Sequence, residues 1–341
     1  MAPTDRPDPN VGEHAFRIYA EQLEQQPPCR IGCPNSGDVR GWLGIIAQRD
    51  KHGLSMEEAC DKAWAMLAEL NPFPATLGRI CPHPCESRCT REAKDGAVAI
   101  NSMERFLGDW GIERDLSFPG VDDPRCTESI GVIGSGPAGM SFAYQMARRG
   151  YTVTVYEKGA HPGGMLRRAI PDYRLPTRIV DAEIRRVFDM GISLESGADL
   201  GTTVSLEDLR ECHRLLFLGL GAQGARSLGV AGESLTGVIS GIAYLGQRKS
   251  GARPQPGRNV VVIGGGNTAI DAARTARRDG ADVTVLYRRS REEMPAASGE
   301  VDDAIAEGVR FKFLATPREI FGEGNRVTGL EYQRMRLGEP D

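Results

Sequence analysis

The sequence predicts an α/β protein in which a helical, cysteine-bearing N-terminal domain precedes two Rossmann-like dinucleotide-binding lobes. Three observations carry this expectation. Two glycine-rich turns each lie between a β-branched run and a helical pattern, five cysteines fall into two short clusters, and no strand-helix alternation precedes Ser129. The expected domains are 1–124 for the helical part, 125–255 for the first lobe and 256–341 for the second.

In chain order, Ser55-Met56-Glu57-Glu58 reads as a capping box that opens an amphipathic helix running through Leu70, and Asn71-Pro72-Phe73-Pro74 stops it. A Pro- and Asp-rich linker from Phe118 to Pro124 then separates the helical part from the first strand. Ser129 to Ile133 and Asn259 to Ile263 are apolar, β-branched runs of the kind that form central parallel strands. They enter the turns Gly134-Ser135-Gly136-Pro137-Ala138-Gly139 and Gly264-Gly265-Gly266-Asn267-Thr268-Ala269.

Glycines there let the backbone turn sharply and approach a pyrophosphate, while the following helix N-terminus offers unpaired N–H groups. Each turn has a second strand at the expected distance. Thr152 to Tyr156 ends in Glu157, a carboxylate placed to accept from a ribose hydroxyl pair, with Lys158 beside it. Asp282 to Leu286 ends instead in Tyr287-Arg288-Arg289. A guanidinium can bond a 2′-phosphate bidentately where a carboxylate would repel it, so NADPH is favoured over NADH. The alternative for Arg288 and Arg289 is stacking on the adenine or capping the surface.

Composition bounds the rest. A chain of 341 residues with 40% apolar content can hold two or three cores, and a net charge of −4 gives no basic footprint for a nucleic acid. No apolar run reaches membrane-spanning length and Met1 to Arg6 has no hydrophobic signal core, so a soluble cytoplasmic protein is expected. Reduced thiols in that compartment call for a role other than disulfides. The clusters Cys29-Arg-Ile-Gly-Cys33-Pro34 and Cys81-Pro82-His83-Pro84-Cys85-Glu86-Ser87-Arg88-Cys89 lack the two-residue spacing of zinc ribbons. Three-residue gaps followed by proline suggest thiolates around an iron-sulfur cluster. Cys60, Cys126 and Cys212 are isolated and read as small buried or neutral residues. His83, between two prolines, reads as exposed or as a neighbour of the ligands, and Met294-Pro295 as a loop shaping the second nucleotide pocket.

Asn71-Pro72-Phe73-Pro74, Gly78-Arg79-Ile80-Cys81-Pro82, Pro84-Cys85-Glu86 and Ile100 to Phe106 resemble the N-terminal iron-sulfur domain of the glutamate synthase small subunit, a domain type shared with dihydropyrimidine dehydrogenase and related NAD(P)H:acceptor oxidoreductases. Gly163-Gly164-Met165-Leu166, with Ile170-Pro171 and Arg174-Leu175-Pro176, is similar to that family's flavin-proximal loop, and Tyr287 to Pro295 with Glu307-Gly308-Val309 to its NADP-binding lobe. The resemblance implies a glutathione-reductase-like pair of lobes and a relay. NADPH in the second lobe would pass a hydride to FAD in the first, and single electrons would leave through a 4Fe-4S cluster to a partner protein or larger subunit, in a hetero-oligomer or homodimer. No acid-base side chain is assigned, since hydride transfer needs none.

Carried over by position, Cys33, Cys81, Cys85 and Glu104 would hold one cluster. Glu104 could instead be a surface or salt-bridged residue, with Cys89 or Cys29 completing the set. Family members place two further cysteines where Glu21 and Glu24 stand, and together with Cys29 and Cys89 those would hold a second cluster. Here that cluster is expected to be absent, labile or completed by another chain. Helical surfaces around residues 12–50 are the expected docking face for the acceptor. Phe217 to Ala222 stands where the family brings backbone near the flavin, with Gly-Leu-Gly-Ala in place of the usual Thr-containing turn. The family's return segment to the first lobe is not matched before Asp341, so truncation and weaker FAD binding are expected. A flavin disulfide reductase is disfavoured because no Cys-x-x-Cys or Cys-x4-Cys pair follows the first nucleotide strand. A noncatalytic scaffold with zinc-holding cysteines is the third reading.

Overall fold

The computed structural model describes residues 26–118, 126–222, 224–252, 254 and 257–338. Most of the 118–124 linker, Glu21, Glu24 and the chain's last three residues lie outside them. The chain divides into two compact units, Met1–Val121 and Asp122–Asp341.

The first unit is helical among its described residues: α1 (Pro28–Gly32), α2 (Val39–Ala47), a 3-10 turn (Arg49–His52), α3 (Met56–Ala68), α4 (Pro74–Ile80), α5 (Pro84–Ser87), α6 (Glu92–Asp95) and α7 (Ile100–Glu113). The capping box at α3 is complete. Glu58 N donates to Ser55 Oγ at 3.2 Å and Ser55 N to Glu58 Oε2 at 2.9 Å. The helix ends at Ala68, two residues short of the expected Leu70. Asn71 accounts for the stop, because its side-chain oxygen accepts from Phe73 N at 2.9 Å and turns the chain into Pro74. Prolines occupy the first helical position of α1, α4 and α5, where a missing N–H costs nothing.

Trp42, Cys60, Ala63, Leu67, Cys85, Ile100 and Leu107 form this unit's core. Helices α4 and α7 cross with almost no side-chain spacer. A Cβ on Gly108 would lie 2.1 Å from Ala75 N, and one on Gly78 2.4 Å from Arg105 Cα. The same crossing is pinned by Arg79, which donates to Asp109 Oδ2 at 2.9 Å.

The second unit contains two parallel sheets. In the first, β1 (Ser129–Ile133), β2 (Thr152–Glu157), β3 (Ser193–Ser196) and β4 (Leu215–Leu218) take the order β3-β2-β1-β4, that of a doubly wound nucleotide fold. In the second, β5 (Asn259–Ile263), β6 (Asp282–Tyr287) and β7 (Arg310–Phe313) lie in the order β5-β6-β7. The connecting helices are α8 (Pro137–Arg148), α9 (Gly164–Arg168), α10 (Thr177–Phe188), α11 (Leu206–Cys212), α12 (Gly241–Lys249), α13 (Asn267–Arg278) and α14 (Ser298–Ala306). An antiparallel hairpin, β8 (Ala315–Glu323) with β9 (Arg326–Arg334), follows and is bridged to Ala231 and Thr236.

All four expected nucleotide-lobe strands form, and β1 is central as expected. Strand β5 is not. Among the described residues it lies at a sheet edge, with Val261 48% exposed, because no described strand pairs on its far side. Of the isolated cysteines, Cys60 is buried, Cys126 half-buried and Cys212, the last residue of α11, exposed. Among the described residues no helix is long and apolar enough to cross a membrane.

The three tryptophans, Trp42, Trp64 and Trp110, all lie in the helical unit and so report its unfolding alone. Gly108→Ala is expected to lower the midpoint of the tryptophan-detected thermal transition, with an overpacking cost of about 1–3 kcal/mol. An unchanged midpoint would mean that α4 and α7 do not touch at this point.

Candidate functional site

The first glycine turn assigns a different task to each glycine. Gly134 has φ +99°, and a Cβ there would lie 2.3 Å from Gly219 O. Gly139 packs helix against strand so closely that its Cβ would lie 1.9 Å from Gly134 O. A Cβ on Gly136 would meet nothing within 4 Å. The middle glycine therefore faces open space at the N-terminus of α8, where Pro137 and Ala138 begin the helix and no side chain caps the free N–H groups. Backbone bare of side chains at a helix N-terminus is a cradle for a pyrophosphate.

Glu157, the last residue of β2, closes this turn from the side. It accepts from Ser135 N at 3.1 Å and from Gly159 N at 2.8 Å, and Ser135 Oγ also donates to it. The turn at 163–164 seals the remaining edge. Gly163 N donates to Ser135 O at 3.0 Å, and Gly164, at φ +52°, comes so near that its Cβ would lie 2.7 Å from Gly136 Cα. Thus Gly134, Gly136, Pro137, Ala138, Gly139, Glu157 and Gly164 share one site. Lys158 stands exposed beside it, whereas Leu166 is buried and Met165 packs on the second lobe's core. The sequence reading passed over Ser135, which is fully buried and ties Glu157 to the turn. A serine in a glycine turn looks like any small residue until its partner is placed.

The second turn has the same opening, for a Cβ on Gly266 meets nothing within 4 Å, and Gly264 has φ +132°. Its floor is built differently. The Tyr287 ring lies so close that a Cβ on Gly265 would stand 2.5 Å from it, and Tyr287 Oη donates to Glu293 O at 2.7 Å. Ala296 N donates to Gly265 O at 3.1 Å and Ala297 N to Asn267 Oδ1 at 3.1 Å, which laces the loop after Met294-Pro295 to the turn. Thr268 is exposed at the start of α13. Arg288 and Arg289 are exposed at the end of β6, and among the described residues neither guanidinium is in an ion pair.

In the helical unit the cysteines separate into two groups. Cys85 is buried, and its thiol is pushed up to about 12 by burial and then by Cys33, Cys81, Glu86 and Glu104. Burial also raises Cys81, opposed by the His83 N–H, with Glu104 and Cys33 adding to the rise. Cys29 is raised by burial with a contribution from Cys89. Hence Cys33, Cys81 and Glu104 lie within electrostatic reach of Cys85, Cys33 and Glu104 also within reach of Cys81, and Cys29 and Cys89 within reach of each other.

Short helices bring them there. Cys33 follows α1, Cys81 follows α4 and Cys85 lies in α5, while a Cβ on Gly32 would stand 3.0 Å from Pro84 O and 3.2 Å from Cys85 Cα. Burial pushes the Glu104 carboxyl up to about 7, and the Asn71 amide, donating to it at 2.7 Å, pulls the other way. Backbone N–H groups point at two sulfurs, His83 N at Cys81 Sγ (3.4 Å) and Val98 N at Cys89 Sγ (3.5 Å). His83 turns away to Glu86, at 3.0 Å.

Among the described residues no three His, Cys, Asp or Glu side chains gather as they would around a single ion. A four-iron cluster places one ligand on each corner iron, so its ligands surround a cube rather than converge on a point. Burial disfavours the charged forms of Cys81, Cys85 and Glu104, and a cationic iron-sulfide core removes that penalty. The donor set fits such a cluster.

Two families match. The pyridine nucleotide-disulphide oxidoreductase family matches residues 128–338, and the one described as dihydropyrimidine dehydrogenase domain II, 4Fe-4S cluster, matches residues 20–116. The chain is 38% identical over 321 residues to NADPH-Fe(3+) oxidoreductase subunit beta of Geobacter sulfurreducens, covering 92% of this chain and 46% of that one. It is 33% identical over 331 residues to the glutamate synthase [NADPH] small chain of Azospirillum brasilense, covering 92% and 67%. The chain thus spans about half the length of the first of these relatives. Among solved structures, a mutant of FprA from Mycobacterium tuberculosis superposes with a TM-score of 0.52 at 20% identity, over 61% of this chain and 64% of that one, which shows the fold of the second unit.

Two alanine variants separate packing from cradle. Gly139→Ala is expected to destabilise the first lobe by about 1–3 kcal/mol or more, since the methyl meets backbone. Gly136→Ala, at φ −70°, is expected to keep the wild-type thermal midpoint and lose bound dinucleotide, read as flavin absorbance per chain. Full flavin content in Gly136→Ala would remove this turn from the site.

Proposed function

This chain belongs to the pyridine nucleotide-disulphide oxidoreductase family, and on that footing we propose that it is an electron-transfer subunit. In this reading it oxidises NADPH at the second lobe and delivers electrons through FAD and a 4Fe-4S cluster to an acceptor protein or larger subunit. The observation that carries the reading is the pair of glycine turns, each with its middle or last glycine open to space, in one unit of a chain whose other unit groups three thiols with a carboxylate.

FAD, when bound, supplies a centre that takes two electrons together from a reduced nicotinamide and releases them singly, which a four-iron cluster can accept. The chain's own residues bind and orient. Gly134, Gly136 and the first N–H groups of α8 receive the FAD pyrophosphate, Glu157 the ribose hydroxyls, and Gly164 closes the site over them. Gly264, Gly266, Asn267 and Thr268 do the same for NADPH at α13, with Arg288 and Arg289 free to hold its 2′-phosphate. Cys33, Cys81, Cys85 and Glu104 hold the cluster. Cys29 and Cys89 are two donors short of a second one within the described residues. The relatives named subunit beta and small chain support a partner protein, and the cytoplasm is the proposed location.

Anaerobic iron, sulfide and flavin analysis, with spectra before and after NADPH, tests the proposal. Stoichiometric flavin, about four irons per chain and bleaching by NADPH are expected. Zinc or no metal, with no NADPH-dependent change, would overturn it. The double variant Arg288→Ala/Arg289→Ala should raise the KM for NADPH by roughly 10- to 100-fold, as loss of charge-assisted phosphate bonds implies, and leave that for NADH near its starting value. Equal effects on both nucleotides would assign these arginines to the adenine or the surface.

A further inference from the structure

The segment 170–176 leaves the loop that seals the first turn and crosses to the second lobe. There Arg174 Nη1 reaches both carboxylate oxygens of Asp271, at 2.9 and 2.8 Å, and its Nε lies 2.9 Å from Glu300 Oε1. The Arg174 and Asp271 side chains retain only 10% and 6% of their exposure. Asp271 stands about one helical turn past Asn267 on α13, the helix that opens from the second glycine turn.

A second contact, at Tyr173, repeats the crossing, on guanidinium groups held by ion pairs inside the second lobe. Arg274 pairs with Glu300 and, at 2.8 Å, with Glu307, which also takes Arg278 at 2.7 Å. The guanidinium carbons of Arg274 and Arg278 lie 4.9 and 3.9 Å from the Tyr173 ring centroid. Within the segment, Arg174 N and Leu175 N both donate to Pro171 O at 3.0 Å, and Leu175 is fully buried. Met165 and Ala169, just upstream, pack into the second lobe's core.

We propose that Arg174 and Asp271 are positioning residues that set the distance and angle between the first-lobe cofactor loop and the second glycine turn, so that nicotinamide and flavin meet in one fixed orientation. The inference rests on the electron-transfer reading above. Apolar packing alone would hold the lobes together but would let them slide. A guanidinium whose Nη1 donates to both oxygens of one carboxylate, with a second carboxylate ion-paired 2.9 Å from its Nε, restricts that sliding. With both cofactors bound, a hydride would leave the reduced nicotinamide, oxidising it, and reduce the flavin. The rate of that step is sensitive to displacements of about 1 Å. Neither side chain touches the reacting atoms in this role, and both act through the backbone they hold.

The test uses the flavin-loaded full chain as wild type, Asp271→Asn, Arg174→Gln and the double variant. Four quantities are read: flavin content, NADP+ Kd, the anaerobic rate constant of flavin reduction by saturating NADPH, and hydrogen exchange of the Arg174 and Leu175 amides without nucleotide. In Asp271→Asn, flavin content and Kd should stay within about twofold. Reduction should slow on the order of 10- to 100-fold, as misplacement implies, and the two amides should exchange at least about tenfold faster, as a released local contact implies. The double variant should be no slower than the slower single one, because the pair acts as a unit. The proposal falls if reduction is unchanged, if its loss is matched by an equal loss of NADP+ affinity, if the single effects add, or if the amides stay as protected as in wild type. A wild-type chain that NADPH does not reduce would sink the function proposed above, while the exchange measurement would still decide whether the pair clamps the segment.

Discussion

The first lobe depends on one contact that has no room for a methyl group, Gly139 of α8 against the carbonyl of Gly134. With any Cβ at Gly139 the helix would have to withdraw from β1, since the atom would stand 1.9 Å from that oxygen. Three other features follow from the close approach. Gly136 is left facing open space, the 163–164 turn can descend onto it, and the chain leaving β4 at Gly219 can touch Gly134. Four stretches of backbone meet where side chains would keep them apart, and the bare amides this exposes are what an anion can use. The second lobe meets the same need by other means. Ala269 takes the place of the third glycine, with its methyl 3.4 Å from where a Cβ on Gly264 would stand, and the Tyr287 ring fills the floor under Gly265.

The helical unit is governed by the opposite problem, too many potential anions in a space too dry for them. Cys85 is raised by burial first and then by Cys33 and Cys81, Cys81 is raised by burial with Glu104 and Cys33 adding to it, and Glu104 shares the pocket with no basic side chain among the causes of its shift. Among the described residues, the side chain that donates to Glu104 is the Asn71 amide. Because Asn71 Oδ1 is held by the Phe73 N–H, the amide cannot flip, and its NH2 must face the carboxylate. Asn71 thus ends α3, starts the approach to α4 and orients Glu104, three consequences of a single Asx turn.

What was legible in the sequence was whatever depends on neighbours along the chain. The ranges of β1 and β5, the capping box at Ser55 and the spacing of the cysteine loops are local patterns, and each forms where its residues indicate. The edge position of β5 was not legible, since an apolar β-branched run reads alike at the centre and the edge of a parallel sheet. Nor were Ser135 under Glu157, Gly32 against Cys85, or Arg174 on Asp271. Those pairings join positions 22, 53 and 97 residues apart, and they exist only once the helices and strands have been placed. The cofactor turns were therefore readable from their own residues, while the contacts that hold them in register were not.

That difference bears on why a charged pair sits between the lobes at all. Burying Arg174 and Asp271 costs desolvation that their mutual attraction repays only with good geometry, and apolar side chains of similar size often stabilise as well or better. Burial raises Asp271 even against the pull of Arg174, which shows how dry the contact is. Stability alone therefore gives a poor reason for the pair. Directionality gives a better one, because a leucine in place of Arg174 would pack against α13 at many angles, whereas a guanidinium that donates to Asp271 and is ion-paired with Glu300 has few. Electron transfer between separately bound cofactors needs that kind of constraint more than it needs additional stability.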